Sequence, residues 1–339
     1  MEKDSKAKEI LISLSEEIIE TNKKNYSSNV SKPQNNRKIL IAGAGGFIGR
    51  NLCEELRQYG YYLRTIFRTK ESSLRIPDNE RENMEILIGD VSDEEFCRIA
   101  VEGVDAVINL AAEISGDNQK MFRSNVVGFF NLANMACKHK VKKFIYASSS
   151  IVYGNGNESY QKETDKLHLY NFYSVTKYIN EILSDYFHEQ TETEFCGCRL
   201  FNVYGNPNIE SWDVISKYFK AAISDKPIVV DNPNAYRDYV YVKDVAKAIR
   251  QIIETESNMD SKIVNIGTGC PTKLVELAKM IKTVCDSDSE IVIRNKSIRI
   301  VNSCADIGLL SSIIDFRFSI IEDNLKSMYE RYRKDWEKI

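Results

Sequence analysis

Tyr173 and Lys177 stand four residues apart in "YSVTK". On a helix that spacing places phenol and ammonium on one face, about a turn apart. A lysine charge so placed stabilises phenolate and draws the phenol's pKa from about 10 toward neutrality, giving a usable general acid or base. With eighteen tyrosines in the chain, chance matches are expected, and Tyr239/Lys243 in "YVYVK" is a second one. That pair falls in alternating strand-like sequence, where four residues span about 13 Å, too far to couple. Only Tyr173/Lys177 lies in a helical pattern, with Phe172, Val175, Ile179, Ile182 and Leu183 as its apolar stripe. About 25 residues earlier, the run "KKFIYA" ends in the hydroxyls Ser148, Ser149 and Ser150. A strand ending there delivers them to the carboxyl edge of a sheet, where ligands of open α/β sheets bind.

A second chemical feature is "KILIAGAGGFIGRNL", with Gly43, Gly46 and Gly49 between an apolar strand and a helix. The first glycine permits the tight turn, the second a close approach to a pyrophosphate, and the third close helix–strand packing. The diphosphate then faces the helix N-terminus at Phe47 and Ile48, where free N–H groups and the helix dipole favour an anion. At the end of the next strand, where an acidic residue would grip the ribose 2′-hydroxyl, the chain has Arg68, with Lys70 close behind. An arginine there suits a 2′-phosphate, so NADP(H) is favoured and NAD remains possible.

The elements that must position these residues read as a Rossmann-type α/β fold, a doubly wound parallel sheet with a smaller C-terminal substrate-binding lobe. Short apolar strands at 38–43, 62–67, 84–90, 104–112 and 142–148 alternate with helix-sized amphipathic stretches at 49–60 and 125–140. A long helix at 172–190, a strand at 195–201 and more mixed sequence follow. The expected division is a helix and linker over 1–36, a cofactor-binding domain over 37–200, and a substrate lobe over 201–339 with some segments returning to the first domain. In the first segment, Ile10, Leu11, Leu14 and Ile18 recur at helical spacing, and interleaved Lys and Glu exclude a signal peptide. A composition 43% apolar and 28% charged, without a long apolar run, argues against a membrane role. A net charge of −3 argues against nucleic acid as a partner. Eight scattered cysteines without a CxxC pair, and three widely spaced histidines, suggest reduced packing residues in a cytoplasmic protein and no metal site.

Taken together, "GAGGFIG" (43–49), "NLAA" (109–112), "SSSIVYG" (148–154), "YSVTK" (173–177), "RLFNVYG" (199–205), "RDYVYVKDVAKAI" (237–249) and "VNIGTG" (264–269) occur in an order that resembles the extended short-chain dehydrogenase/reductases of the nucleotide-sugar epimerase/dehydratase family. The resemblance covers about residues 38–330. It implies that the hydroxyl of Ser149 bonds the sugar oxygen that becomes a carbonyl, that Tyr173 exchanges its proton, and that Lys177 holds Tyr173 and the nicotinamide ribose. It further implies that Asp90 and the adjoining Val91 lie at the adenine, that Leu110, Ala111 and Ala112 line the cofactor trough, and that Asn125 lies toward the nicotinamide. Asn202 and Arg237 would contact the substrate diphosphate, Ser150 would shape the sugar site, and Lys296 or Arg299 would help at the nucleotide. A homodimer through the 125–140 and 172–190 helices is also implied.

The sequence departs from the family in one informative place. After the key hydroxyl, dehydratases of the family carry Asp-Glu and decarboxylases Ser-Glu, whereas this chain has Ser150-Ile151. Isoleucine transfers no proton, which leaves hydride and proton exchange alone at C4 of the sugar. Two reactions fit: NADPH-dependent reduction of a 4-keto-6-deoxysugar nucleotide, favoured by Arg68, and 4-epimerisation with NAD as in UDP-glucose 4-epimerases. A non-catalytic cofactor-binding regulatory protein is the alternative from another class.

Overall fold

The computed structural model describes residues 37–154, 160–205, 211, 213–255, 262–295 and 302–336. The expected helix and linker over 1–36, and Lys296 and Arg299, lie outside the described residues. From Lys38 the chain alternates strand and helix as its apolar runs demand. Strand β1 (Lys38–Ala42) leads to α1 (Phe47–Gln58), β2 (Tyr62–Phe67), the short α2 (Lys70–Ser73), β3 (Met84–Ile88), α3 (Glu94–Val101) and β4 (Ala106–Asn109). A short α4 (Asn118–Met121) then runs into a π-helical turn at Phe122–Val127 and on into α5 (Gly128–Lys138), β5 (Lys143–Ser149), α6 (Phe172–Gln190) and β6 (Glu194–Leu200). The remaining elements are β7 (Asn202–Tyr204), α7 (Val214–Ile223), β8 (Ile228–Asp231), β9 (Tyr236–Tyr241), α8 (Val242–Glu254), β10 (Lys262–Ile266), β11 (Pro271–Lys273), α9 (Leu274–Val284), β12 (Ile291–Arg294), α10 (Gly308–Ile313) and α11 (Ile321–Trp336).

Seven strands form one sheet in the order β10-β6-β5-β4-β1-β2-β3. The run β3-β2-β1-β4 is parallel throughout, with Ile41 opposite both Thr65 and Ile108. Chain direction across the sheet reverses between β1 and β4, and the crevice outside the carboxyl ends of strands at such a switch point is where α/β sheets bind ligands. Strand β1 is buried along Ile39–Ala42, as a strand covered on both faces must be. Two smaller sheets, β11-β9-β7 and β12-β8, come from the later sequence.

The chain divides into two compact units that interleave along the sequence. Of the described residues, the first takes those up to Tyr146 together with Leu183–Phe195, and the second takes those from Ala147 to Ile182 and from Cys196 onward. Within the first, Phe129 meets Phe144 and Tyr146 edge-on at 5.5 and 5.0 Å, and Phe144 meets Phe195 at 5.1 Å. Within the second, Phe219, Ile228, Leu277, Ile281 and Leu325 form a core with no exposed area. All eight cysteines are free. Among the described residues, no helix is long and apolar enough to cross a membrane.

Candidate active site

In the first unit the glycine loop forms as its spacing requires. Gly43 has φ +84°, and a Cβ there would lie 2.8 Å from the Ala111 nitrogen. A Cβ on Gly49 would lie 2.2 Å from the Gly43 carbonyl oxygen, so α1 packs against the loop only because that Cβ is missing. Helix α1 starts at Phe47-Ile48-Gly49 with Gly46 as its N-cap, has no side-chain cap and carries no acid in its first turn. Its N-terminal N–H groups are therefore left for an anion. A trough of about 370 Å³ opens beside it, bordered by Gly43, Gly46, Arg68, Asp90 with Val91, and Leu110–Ala112. Uncapped helix, close-approach glycines and trough together fit a dinucleotide.

Arg68 does not stand free at the rim. Its guanidinium donates to Glu113 Oε2 and to Ser124 Oγ, each at 3.1 Å. That bond, more than any other cause, holds the Glu113 carboxyl below the usual carboxylate range. Asn125 lies one residue further along the π-helical turn, buried, and grips the main chain of Glu113: Oδ1 accepts from its N–H at 2.6 Å and Nδ2 donates to its carbonyl at 3.0 Å. Sequence reasoning passed over Glu113, although the acid directly after "LAA" was a visible signal.

In the second unit, β5 delivers the three serines. Ser149 caps the single 3₁₀ turn Ser150–Tyr153, and its Oγ accepts from Ile151 N–H at 3.3 Å. Gly154, at φ +62°, turns the chain away. Ser149, Ser150, Ile151, Asn202 and Arg237 border one pocket of about 280 Å³. Burial lowers the Arg237 pKa, and one of its N–H groups donates to the Tyr236 carbonyl at 3.1 Å. Asn202 donates to the Asp238 carbonyl at 3.0 Å and to Ser303 Oγ at 2.9 Å. The four residues expected at the substrate thus come together from β5, β7, β9 and the turn after β5.

Tyr173 and Lys177 occupy successive turns of α6, with Lys177 Nζ 5.5 Å from the phenol ring centroid. Nζ donates to the Ala147 carbonyl at 2.7 Å. Burial pulls Lys177 down to about 8, against the opposing charge of Glu181, and pushes Tyr173 up to about 12. The expected lowering of Tyr173 by Lys177 is therefore not met in the protein alone: desolvation of the phenolate sets the shift. The competing pair does not form a helical couple, since Tyr239 ends in β9 and Lys243 lies in α8.

Behind the serines is a buried polar cluster that sequence reasoning missed. Ser148 Oγ donates to Glu181 Oε1 at 2.5 Å, and Arg199 binds both Glu181 oxygens at 3.0 and 2.7 Å. Arg199 also donates to Tyr153 OH at 3.0 Å, and that hydroxyl donates to Asn265 Oδ1 at 2.6 Å. Each charge is paired, which is the condition for burying it.

The family model for NAD dependent epimerases/dehydratases matches residues 39–267. The chain belongs to this family. As a member of the NAD dependent epimerase/dehydratase family it is an NAD(P)-dependent enzyme of the extended short-chain dehydrogenase/reductase type. Among its relatives, a protein described as a putative UDP-glucose 4-epimerase of Methanocaldococcus jannaschii is 30% identical over 255 residues, covering 72% of this chain and 81% of the relative. UDP-glucuronic acid decarboxylase 6 of Arabidopsis thaliana is 26% identical over 283 residues, covering 76% and 77%. Among solved structures, MoeE5 in complex with UDP-glucuronic acid and NAD superposes with a TM-score of 0.77 at 25% identity, covering 88% of this chain and 99% of that one.

Proposed function

We propose that this enzyme is a UDP-sugar 4-epimerase using NAD(P). The observation that carries the reading is the pocket bordered by Ser149, Ser150, Asn202 and Arg237, in which the position of the family's elimination acid is held by Ile151. Relatives named as 4-epimerase and as decarboxylase mark out the reactions in view, and Ile151 stands where the family resemblance places the acid of the decarboxylases. A bound nicotinamide would accept the hydride from sugar C4 in its oxidised, positively charged form and return it to C4 in its reduced form. Ser149 donates a hydrogen bond to the C4 oxygen. Tyr173 exchanges that oxygen's proton: as the phenolate, which the positive charges of Lys177 and of the bound oxidised nicotinamide would favour against burial, it accepts the proton as C4 is oxidised, and as the phenol it returns it as C4 is reduced. Lys177, with one N–H fixed on Ala147, holds its charge near the phenolate that forms. Arg237 takes the substrate diphosphate, a task suited to a guanidinium whose charge is poorly solvated. Nothing at Ile151 protonates a leaving hydroxyl, so the keto sugar is reduced again without losing water.

A second reading, a 4-keto reductase using NADPH, is favoured by Arg68 alone. One experiment separates the two. UDP-glucose, UDP-N-acetylglucosamine and UDP-glucuronic acid, each deuterated at C4, are incubated with purified enzyme and a catalytic amount of cofactor. The epimerase converts one of them to its C4 epimer with the label retained at C4. Stoichiometric consumption of NADPH by a 4-keto sugar nucleotide, with no epimer formed from any of the three, overturns it.

We also propose a homodimer. In the first unit, the faces of α5 and α6 keep Phe130 and Tyr186 exposed at 41% and 56%, beside the less exposed Phe187. Neighbouring exposed aromatics of that kind support the reading. Light scattering on the purified chain should give twice the 38.9 kDa monomer mass.

A further inference from the structure

Arg68 invites a 2′-phosphate when it is considered alone, and the structure gives it a fixed countercharge. The Glu113 side chain is 18% exposed, whereas that of Arg68 is 54% exposed. The acid is the better anchored of the two. Its Oε1 accepts from the N–H groups of Ile114 and Ser115, at 3.0 Å each, and Asn125 holds its main chain on both sides. The arginine comes to the acid, and Ser124 holds its other arm. Both Arg68 and Ser124 border the trough at the carboxyl end of β2 and across from it, where the adenosine ribose is expected. A 2′-phosphate arriving there meets a guanidinium already bound to a carboxylate, and it meets the carboxylate's own negative charge as well. A 2′-hydroxyl meets neither penalty.

We propose that Glu113 is the specificity-determining residue at the cofactor's 2′ position and selects NAD(H) over NADP(H) by neutralising Arg68. The acid that NAD-selective folds place at the end of β2 is supplied here from the segment after β4. This assignment concerns the cofactor alone and holds whether the sugar reaction is epimerisation or reduction.

The test is cofactor binding without sugar nucleotide. Dissociation constants for NAD⁺ and NADP⁺ are measured by calorimetry on protein stripped of any co-purified cofactor, for the wild type, Glu113→Gln, Arg68→Ala and the double variant. The wild type should bind NAD⁺ more tightly. Glu113→Gln should lower the ratio of the NADP⁺ constant to the NAD⁺ constant by about tenfold or more, the effect of one close like charge. Adding Arg68→Ala should abolish that gain, and Arg68→Ala alone should weaken NADP⁺ binding by less than about threefold. An unchanged ratio in folded Glu113→Gln overturns the assignment. Should that variant not fold, two results that do not need it still overturn the assignment: tighter NADP⁺ binding by the wild type, or a tenfold loss of NADP⁺ affinity in Arg68→Ala.

Discussion

Ser148 and Glu181 meet at 2.5 Å in the interior of the second unit, one residue before Ser149 and one helical turn after Lys177. With the Lys177 bond to Ala147, this means that two successive turns of α6 grip two successive residues at the end of β5. The helix that carries Tyr173 therefore fixes the strand that carries Ser149. Because Glu181 is also the partner of Arg199, the grip depends on a buried ion pair.

Glu181→Ala leaves the Arg199 guanidinium buried without its carboxylate, and stability should fall by about 3–5 kcal/mol in urea denaturation. Ser148→Ala removes one bond to an ionised group and leaves the pair intact, so a smaller loss of about 2 kcal/mol is expected. Equal losses from the two variants would show that the ion pair does not dominate the cluster.

Lys177 gives the fold a signed pH dependence. Its pKa drops from 10.5 to about 8 on burial, so between those values the unfolded chain binds the extra proton. Stability linked to Lys177 is then fully present above 10.5, falls through the window as pH decreases, and is lost below about 8. The difference in unfolding free energy between wild type and Lys177→Met should rise by on the order of 3 kcal/mol from pH 8 to 10.5. A flat difference across that range would mean that Glu181 cancels the desolvation.

Tyr173→Phe keeps the ring that packs beside Lys177 and removes only the proton carrier. Turnover of the responsive UDP-sugar should fall by about 10²–10⁴-fold with the melting temperature unchanged. Ser149→Ala should lower kcat by a smaller factor, because the hydroxyl assists the proton transfer and does not perform it. Retained turnover in Tyr173→Phe would dismiss the phenol from the chemistry.

Gly49→Ala tests the loop without touching a charged group. Its Cβ would meet a backbone oxygen at 2.2 Å, which no rotamer change relieves. Stability should fall by about 3 kcal/mol or more, with NAD⁺ affinity falling alongside it. A soluble variant with wild-type affinity would mean that the α1 approach is looser than the geometry shows.

What could be read in the sequence was what depends on local spacing. The glycine loop, the alternation of strand and helix, and the Tyr173/Lys177 helix each carry their meaning within about a dozen residues, and each formed as expected. Glu113 escaped notice because its partner lies 45 residues away in the chain, and an acid on a loop has no periodicity. Glu181 and Arg199 escaped for a related reason: each resembles an ordinary surface charge until β6 and α6 pack together. Tyr173 was the subtler miss. Spacing shows which charge is near a phenol, but burial pushes its pKa to about 12, and burial belongs to the folded chain.

The π-helical turn at Phe122–Val127 bears on how this enzyme could change over time. A π turn is an α-helix that has accommodated one extra residue. Here it presents two consecutive side chains, Ser124 and Asn125, to one small region, the first to Arg68 and the second to Glu113. Removing one residue from this turn would restore ordinary winding and rotate one of the two away. On the assignment proposed for Glu113, cofactor preference is exposed to a single-residue deletion in this turn as well as to substitutions, so the length of this helix is itself a heritable setting.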